Sequence, residues 1–93
     1  MTLCLVGSEQ TIVQAARARI SKEFSGLAGI TAFSGYDNSL AEAKEFVLAS
    51  SPDMVLVGMG MGKQEAYLLE LVDSGWSGIG ICVGGFFDKL ADP

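Results

Sequence analysis

Four times along the chain, a short run of mostly apolar residues gives way to residues spaced for a helix. The runs are LCLVG (residues 3–7), GITAF (29–33), MVLV (54–57) and IGICV (79–83). Short uninterrupted apolar runs bounded by turn residues are the pattern of strands buried on both faces. After the first run, Ile12, Val13, Ala16, Ile20 and Phe24 recur at three- and four-residue spacing, which places them on one helix face. Ser8 is the expected N-cap, Glu9 suits the positive end of the helix dipole, and Gly26 is the expected stop. Ser39 and Glu42 have the spacing of a capping box. Leu40, Ala43 and Val47 extend that helix until Pro52 bars it. A third helix is predicted over 66–72 and a short fourth one over 86–90. Strand and helix in strict alternation, with short links, predict an α/β fold. The expectation is a Rossmann-like, three-layer open parallel sheet of about four strands, with right-handed helical crossovers and strand order 2-1-3-4.

Length and charge narrow the function classes. With 93 residues the chain forms one small domain, burying about 60–65% of its unfolded surface. No apolar run approaches the roughly 18 residues of a membrane span. MTLCLVGSEQ has no basic segment ahead of its apolar residues, so it does not read as a secretory signal, and a cytoplasmic address is expected. Six Lys and Arg, scattered, stand against eleven Asp and Glu. Nucleic-acid binding needs clustered cations, so no nucleic-acid partner is expected. Cys4 and Cys82 each sit inside an apolar run. They read either as a redox pair or, more simply, as small buried hydrophobes. On non-neighbouring strands they would lie beyond the roughly 7 Å reach of a disulfide. The chain has no histidine, which disfavours the common zinc sites, and neither metal nor cofactor is expected.

Ligands of open α/β sheets bind beyond the carboxyl ends of the strands, where the strand order reverses. Four segments meet that description: 7–9, 34–37, 58–64 and 84–88. The third carries VGMGMGKQE, with Gly58, Gly60 and Gly62 at alternate positions. A phosphate-binding P-loop would need glycine at position 57 and a hydroxyl after the lysine; the chain has Val57 and Gln64. A dinucleotide fingerprint follows the first strand with different glycine spacing, so that reading is weak. A plain strand-to-helix turn accounts for the glycines equally well. The stretch nevertheless offers close backbone approach at glycines, helix-start N–H groups suited to a diphosphate, and the Gln64 amide, which donates and accepts. A receiver-like signalling domain is disfavoured, because Gly7-Ser8 and Gly58 stand where its acidic residues belong.

PDMVLVGMGMGKQE, followed one helix later by IGICVGGFFDKLA, resembles the C-terminal half of the WecG/TagA/CpsF glycosyltransferases, whose pattern is roughly PDxxxVGxGxPKQE and then VxVGGxFDxLAG. LCLVGSEQTIVQAARARI resembles the family's LxGG strand and helix, and SGYD sits where the family has Gly-Tyr before a helix. The resemblance implies a transferase that moves an N-acetylmannosamine-type sugar from a UDP-sugar donor to a lipid-linked sugar acceptor, with inversion, in surface-polysaccharide synthesis. It implies peripheral membrane association of the full-length protein. It places Gln64 against the sugar, Asp88 at the nucleotide side and Tyr36 near the uridine. Gly58, Gly60, Lys63, Glu65, Gly84 and Gly85 complete the substrate-binding set. No catalytic residue is assigned.

Three departures shape the expectation. The family's proline in GxPKQE is Gly62 here, which frees the loop's φ. The family's N-terminal half, with an Asp thought to act as general base and a Thr in the sugar pocket, has no counterpart in these residues. The chain also stops before the family's basic tail. It therefore reads as a partial domain or a degenerate descendant, at best a weak transferase alone. The competing reading is a non-catalytic binding or assembly module that kept the fold. A sheet separated from its neighbour also leaves an edge or apolar face open, so association with a second copy is expected, and Trp76, Phe86 and Phe87 read either as residues near that surface or, equally, as ordinary core.

Overall fold

The computed structural model describes residues 1–34, 40–59 and 63–91. Strands β1 (Thr2–Gly7), β2 (Gly29–Phe33), β3 (Met54–Gly58) and β4 (Ile79–Cys82) alternate with helices α1 (Gln10–Glu23), α2 (Leu40–Ser50), α3 (Lys63–Asp73) and α4 (Phe86–Ala91). All strand pairs are parallel, and the order is β2-β1-β3-β4, as the alternation predicts. The order reverses between β1 and β3, whose register runs from Leu3↔Met54 to Gly7↔Gly58.

Side-chain alternation sorts the core into two layers. Cys4, Val6, Val55 and Val57 face one way and are covered by Ala43 and Val47 of α2 and Tyr67 and Leu71 of α3. Leu3 and Leu5 face the other way, under Val13, Ala16 and Ile20 of α1 and Phe87 of α4. Both faces of β1 are thus covered, which is why its apolar run is unbroken. The phenol of Tyr67 donates to the Ala43 carbonyl at 2.8 Å, and burial pushes its pKa up. Cys4 is buried and Cys82 half-buried, both free thiols, on strands that do not neighbour each other.

Several local expectations shift. Ser8 is not the cap of α1: Glu9 holds that position, without a side-chain cap bond, and Ser8 has φ +62°. The chain leaves β1 through a left-handed turn, where Gly7 packs against Gly58 and the Ser8 carbonyl accepts from Ser34, and the helix begins only after it. Phe24 falls past the end of α1 and is exposed. The third helix starts at Lys63, ahead of the predicted residue 66. The capping pair at Ser39 lies outside the described residues.

Asp53 ties the amino ends of β1 and β3 together. Its carboxylate accepts from the Thr2 N–H at 2.8 Å and from the Thr2 hydroxyl at 3.2 Å. These bonds hold its carboxyl below the ordinary carboxylate range. A depressed folded-state pKa contributes stability above the unfolded value, about 3.9 for Asp, and that stability is lost as pH falls through the folded value. Asp53→Asn is therefore expected to melt below wild type at neutral pH, with the gap closing in the acid range below about pH 4. A gap constant with pH in thermal melts would contradict the assignment.

Candidate functional site

The carboxyl ends of the strands bring the predicted loops together through contacts that side-chain pattern alone does not reveal. Between β1 and β3, Gly7 (φ +134°) presses on Gly58 so closely that a Cβ on Gly7 would overlap the Gly58 carbonyl oxygen. Between β3 and β4, the Val83 N–H donates to the Val57 carbonyl at 2.8 Å. One residue further on, the Gly84 N–H donates to Gln64 Oε1 at 3.3 Å. A Cβ on Gly58 would lie 2.7 Å from the Gly84 carbonyl oxygen and 3.0 Å from the Phe87 ring. The segments after β3 and β4 are thus side by side on the same rim, with Phe87 as packing beneath Gly58.

Each predicted residue can now be placed. Gln64 is buried in the first turn of α3 and spends its carbonyl oxygen on the Gly84 amide. Lys63 and Glu65 flank it and are exposed. Glu65 lies near enough to the end of β4 that its charge, after burial, contributes to raising the Cys82 thiol pKa. Gly84 has φ +56° and opens the turn closed by the Phe86 N–H on the Val83 carbonyl at 3.1 Å, a conformation that favours glycine. Gly85 is exposed beside it. Asp88 lies within α4, but its side chain, like Tyr36, Gly60 and Gly62, is outside the described part of the molecule. Of the aromatics read as either surface or core, Phe86 is exposed, whereas Phe87 and Trp76 are core residues. The structural reason is that Phe87 packs on Gly58 and the Trp76 indole N–H donates to the Pro52 carbonyl at 2.9 Å.

Sequence reading missed the buried pair Ser8 and Ser34. The Ser34 hydroxyl donates to the Ser8 carbonyl at 3.0 Å, linking the end of β2 to the turn after β1. No local spacing signals the pair, whose residues lie 26 positions apart, although the turn at Ser8 has a glycine-like backbone, φ +62°. The four loops are therefore joined in series: Ser34 to Ser8, Gly7 to Gly58, and Gln64 to Gly84. Among the described residues, no group of three or more acidic or thiol side chains is placed to hold a metal ion.

No curated protein matches the chain. Residues 1–93 match the family described as Glycosyl transferase WecG/TagA/CpsF family. With an all-parallel sheet whose KQE and VGG segments share one rim, and a match that spans the chain, the protein belongs to the WecG/TagA/CpsF family of glycosyl transferases.

Proposed function

We propose that this chain is the nucleotide-sugar-binding part of an inverting glycosyltransferase, corresponding to the C-terminal half of its family. It takes a UDP-linked N-acetylmannosamine-type donor, and the acceptor is a lipid-linked sugar of surface-polysaccharide synthesis. The observation that carries this reading is the Gln64–Gly84 bond, which fastens the two family motifs into one surface. Gln64 gives its carbonyl to the protein, and its amino group supplies N–H donors suited to a sugar hydroxyl. The start of α3 favours the diphosphate, and Tyr36 and Asp88 serve the uridine side. Lys63, Glu65 and the glycines at 58, 60, 84 and 85 complete the set.

Inverting transfer needs a base about 2.6–3.2 Å from the acceptor hydroxyl. Glu65 is exposed at the site, and no residue of the chain is assigned that role. Transfer by this chain alone is expected to be weak. Calorimetric titration with UDP tests the reading. Wild type is expected to bind UDP, and Gln64→Ala to bind the UDP-linked N-acetylmannosamine donor about tenfold more weakly, the loss of roughly 1.4 kcal/mol of hydrogen bonding to the sugar. A flat wild-type titration would sink the proposal and favour the non-catalytic module.

The proposed site faces the cytoplasm, with peripheral attachment to the membrane. Among the described residues, no helix is long and apolar enough to cross a membrane. Association with a second copy is expected through β4, an edge strand whose Ile79 and Ile81 are exposed. Light scattering should find a dimer at high concentration that Ile81→Lys disperses; a monomer throughout would refute this.

A further inference from the structure

The turn after β1 holds a conformation that its residue type resists. Among the described residues, the non-glycine positions with positive φ are Ser8 and Ser51. Ser51 precedes β3, at the opposite end of the sheet, whereas Ser8 sits where the strand order reverses, the general ligand position of such folds. A left-handed backbone costs energy for any residue with a Cβ, and it persists only where its surroundings hold it.

Contacts from two neighbouring segments contribute to that hold. Gly7 is pressed against the Gly58 backbone, and Ser34, with no exposed surface, donates its hydroxyl to the Ser8 carbonyl at 3.0 Å. The first contact sets where the strand ends. The second orients the peptide that follows Ser8, and with it the entry to α1 at Glu9. A glycine at position 8 would adopt the same backbone without help.

We propose that Ser34 is a positioning residue for the donor site: its hydroxyl locks the β1–α1 turn, which borders Gly58 on the donor rim, in its left-handed form. This rests on the reading of that rim as a nucleotide-sugar site. Without the hydroxyl, Ser8 relaxes toward negative φ, the Ser8–Glu9 peptide swings, and the rim loses its preformed shape. Ser34 acts through Ser8 and is not a catalytic residue.

UDP titrations well below the melting temperature test the proposal with four proteins. Ser34→Ala is expected to raise the Kd for UDP about five- to tenfold, the scale of one hydrogen bond. Ser34→Thr, which keeps the hydroxyl, is expected to bind as wild type does. Ser34→Ala combined with Ser8→Gly is expected to recover most of the lost affinity, because glycine holds the turn unaided. Rescue of affinity by a change at a different residue is a result that general loosening of the fold would not produce. An unchanged Kd in Ser34→Ala, or a loss that Ser8→Gly does not repair, overturns the positioning role while leaving the donor site standing. A flat wild-type titration is a different failure: it removes the donor site and this role with it.

Discussion

Gly7→Ala is expected to destabilise the fold severely, lowering its melting temperature by tens of degrees. A methyl group there would overlap the Gly58 carbonyl oxygen and lie 2.7 Å from the Gly58 carbonyl carbon, both rigid backbone in the adjacent strand. It would also sit on a residue at φ +134°, where L side chains are strained. Neither neighbour can yield cheaply, since β1 and β3 are paired along their length and covered on both faces. A cost above about 4 kcal/mol is expected, a large share of the roughly 5–14 kcal/mol available to a domain of this size. Gly26→Ala is the control: no atom lies within 4 Å of its added Cβ, and it should melt within a few degrees of wild type or slightly above. Circular dichroism melts that find Gly7→Ala as stable as this control would overturn the account of the β1–β3 junction.

Trp76→Ala carries the second large expected effect, at the other end of the sheet. The indole is 6% exposed, its N–H is spent on the Pro52 carbonyl at 2.9 Å, and the ring lies so close over Gly78 that a Cβ there would overlap it. Deleting the ring empties the space between the α3–β4 link and the turn before β3 and leaves the Pro52 carbonyl without its donor. A loss of about 3–5 kcal/mol is expected. Trp76→Phe keeps most of the apolar volume and should lose about 1–3 kcal/mol, mainly the hydrogen bond. Urea denaturation followed by circular dichroism separates the two. Equal losses would mean that the hydrogen bond, not the packed ring, is what matters there.

Two neighbouring glycines make this packing possible. Gly78 makes room for the indole, and Gly80 makes room for Leu68 of α3, whose side chain would collide with a Cβ at that position. On β4 the alternate residues Ile79 and Ile81 point away from this packing and stay exposed. The strand therefore reads as apolar in the sequence although only one of its faces is covered. For the same reason Trp76 is a core residue, and Phe86 takes the exposed place.

What could be read from the residues alone was whatever depends on near neighbours along the chain. The four apolar runs, the helical spacing of Val13, Ala16 and Ile20, and the stop at Pro52 each express local sterics and side-chain direction, so strand positions and fold class follow from them. The KQE and VGG segments were recognisable as pieces of a family pattern for the same reason. Tertiary structure alone decided how the pieces meet. Gln64 bonds to an amide twenty residues away, and Ser34 bonds to a carbonyl twenty-six residues away. Ser8, well suited by type to cap a helix, instead takes a left-handed turn, its carbonyl bonded to Ser34 and the residue before it packed on Gly58 across the sheet. Contacts of that kind are set by strand register and by the closeness of two backbones, which no local spacing encodes.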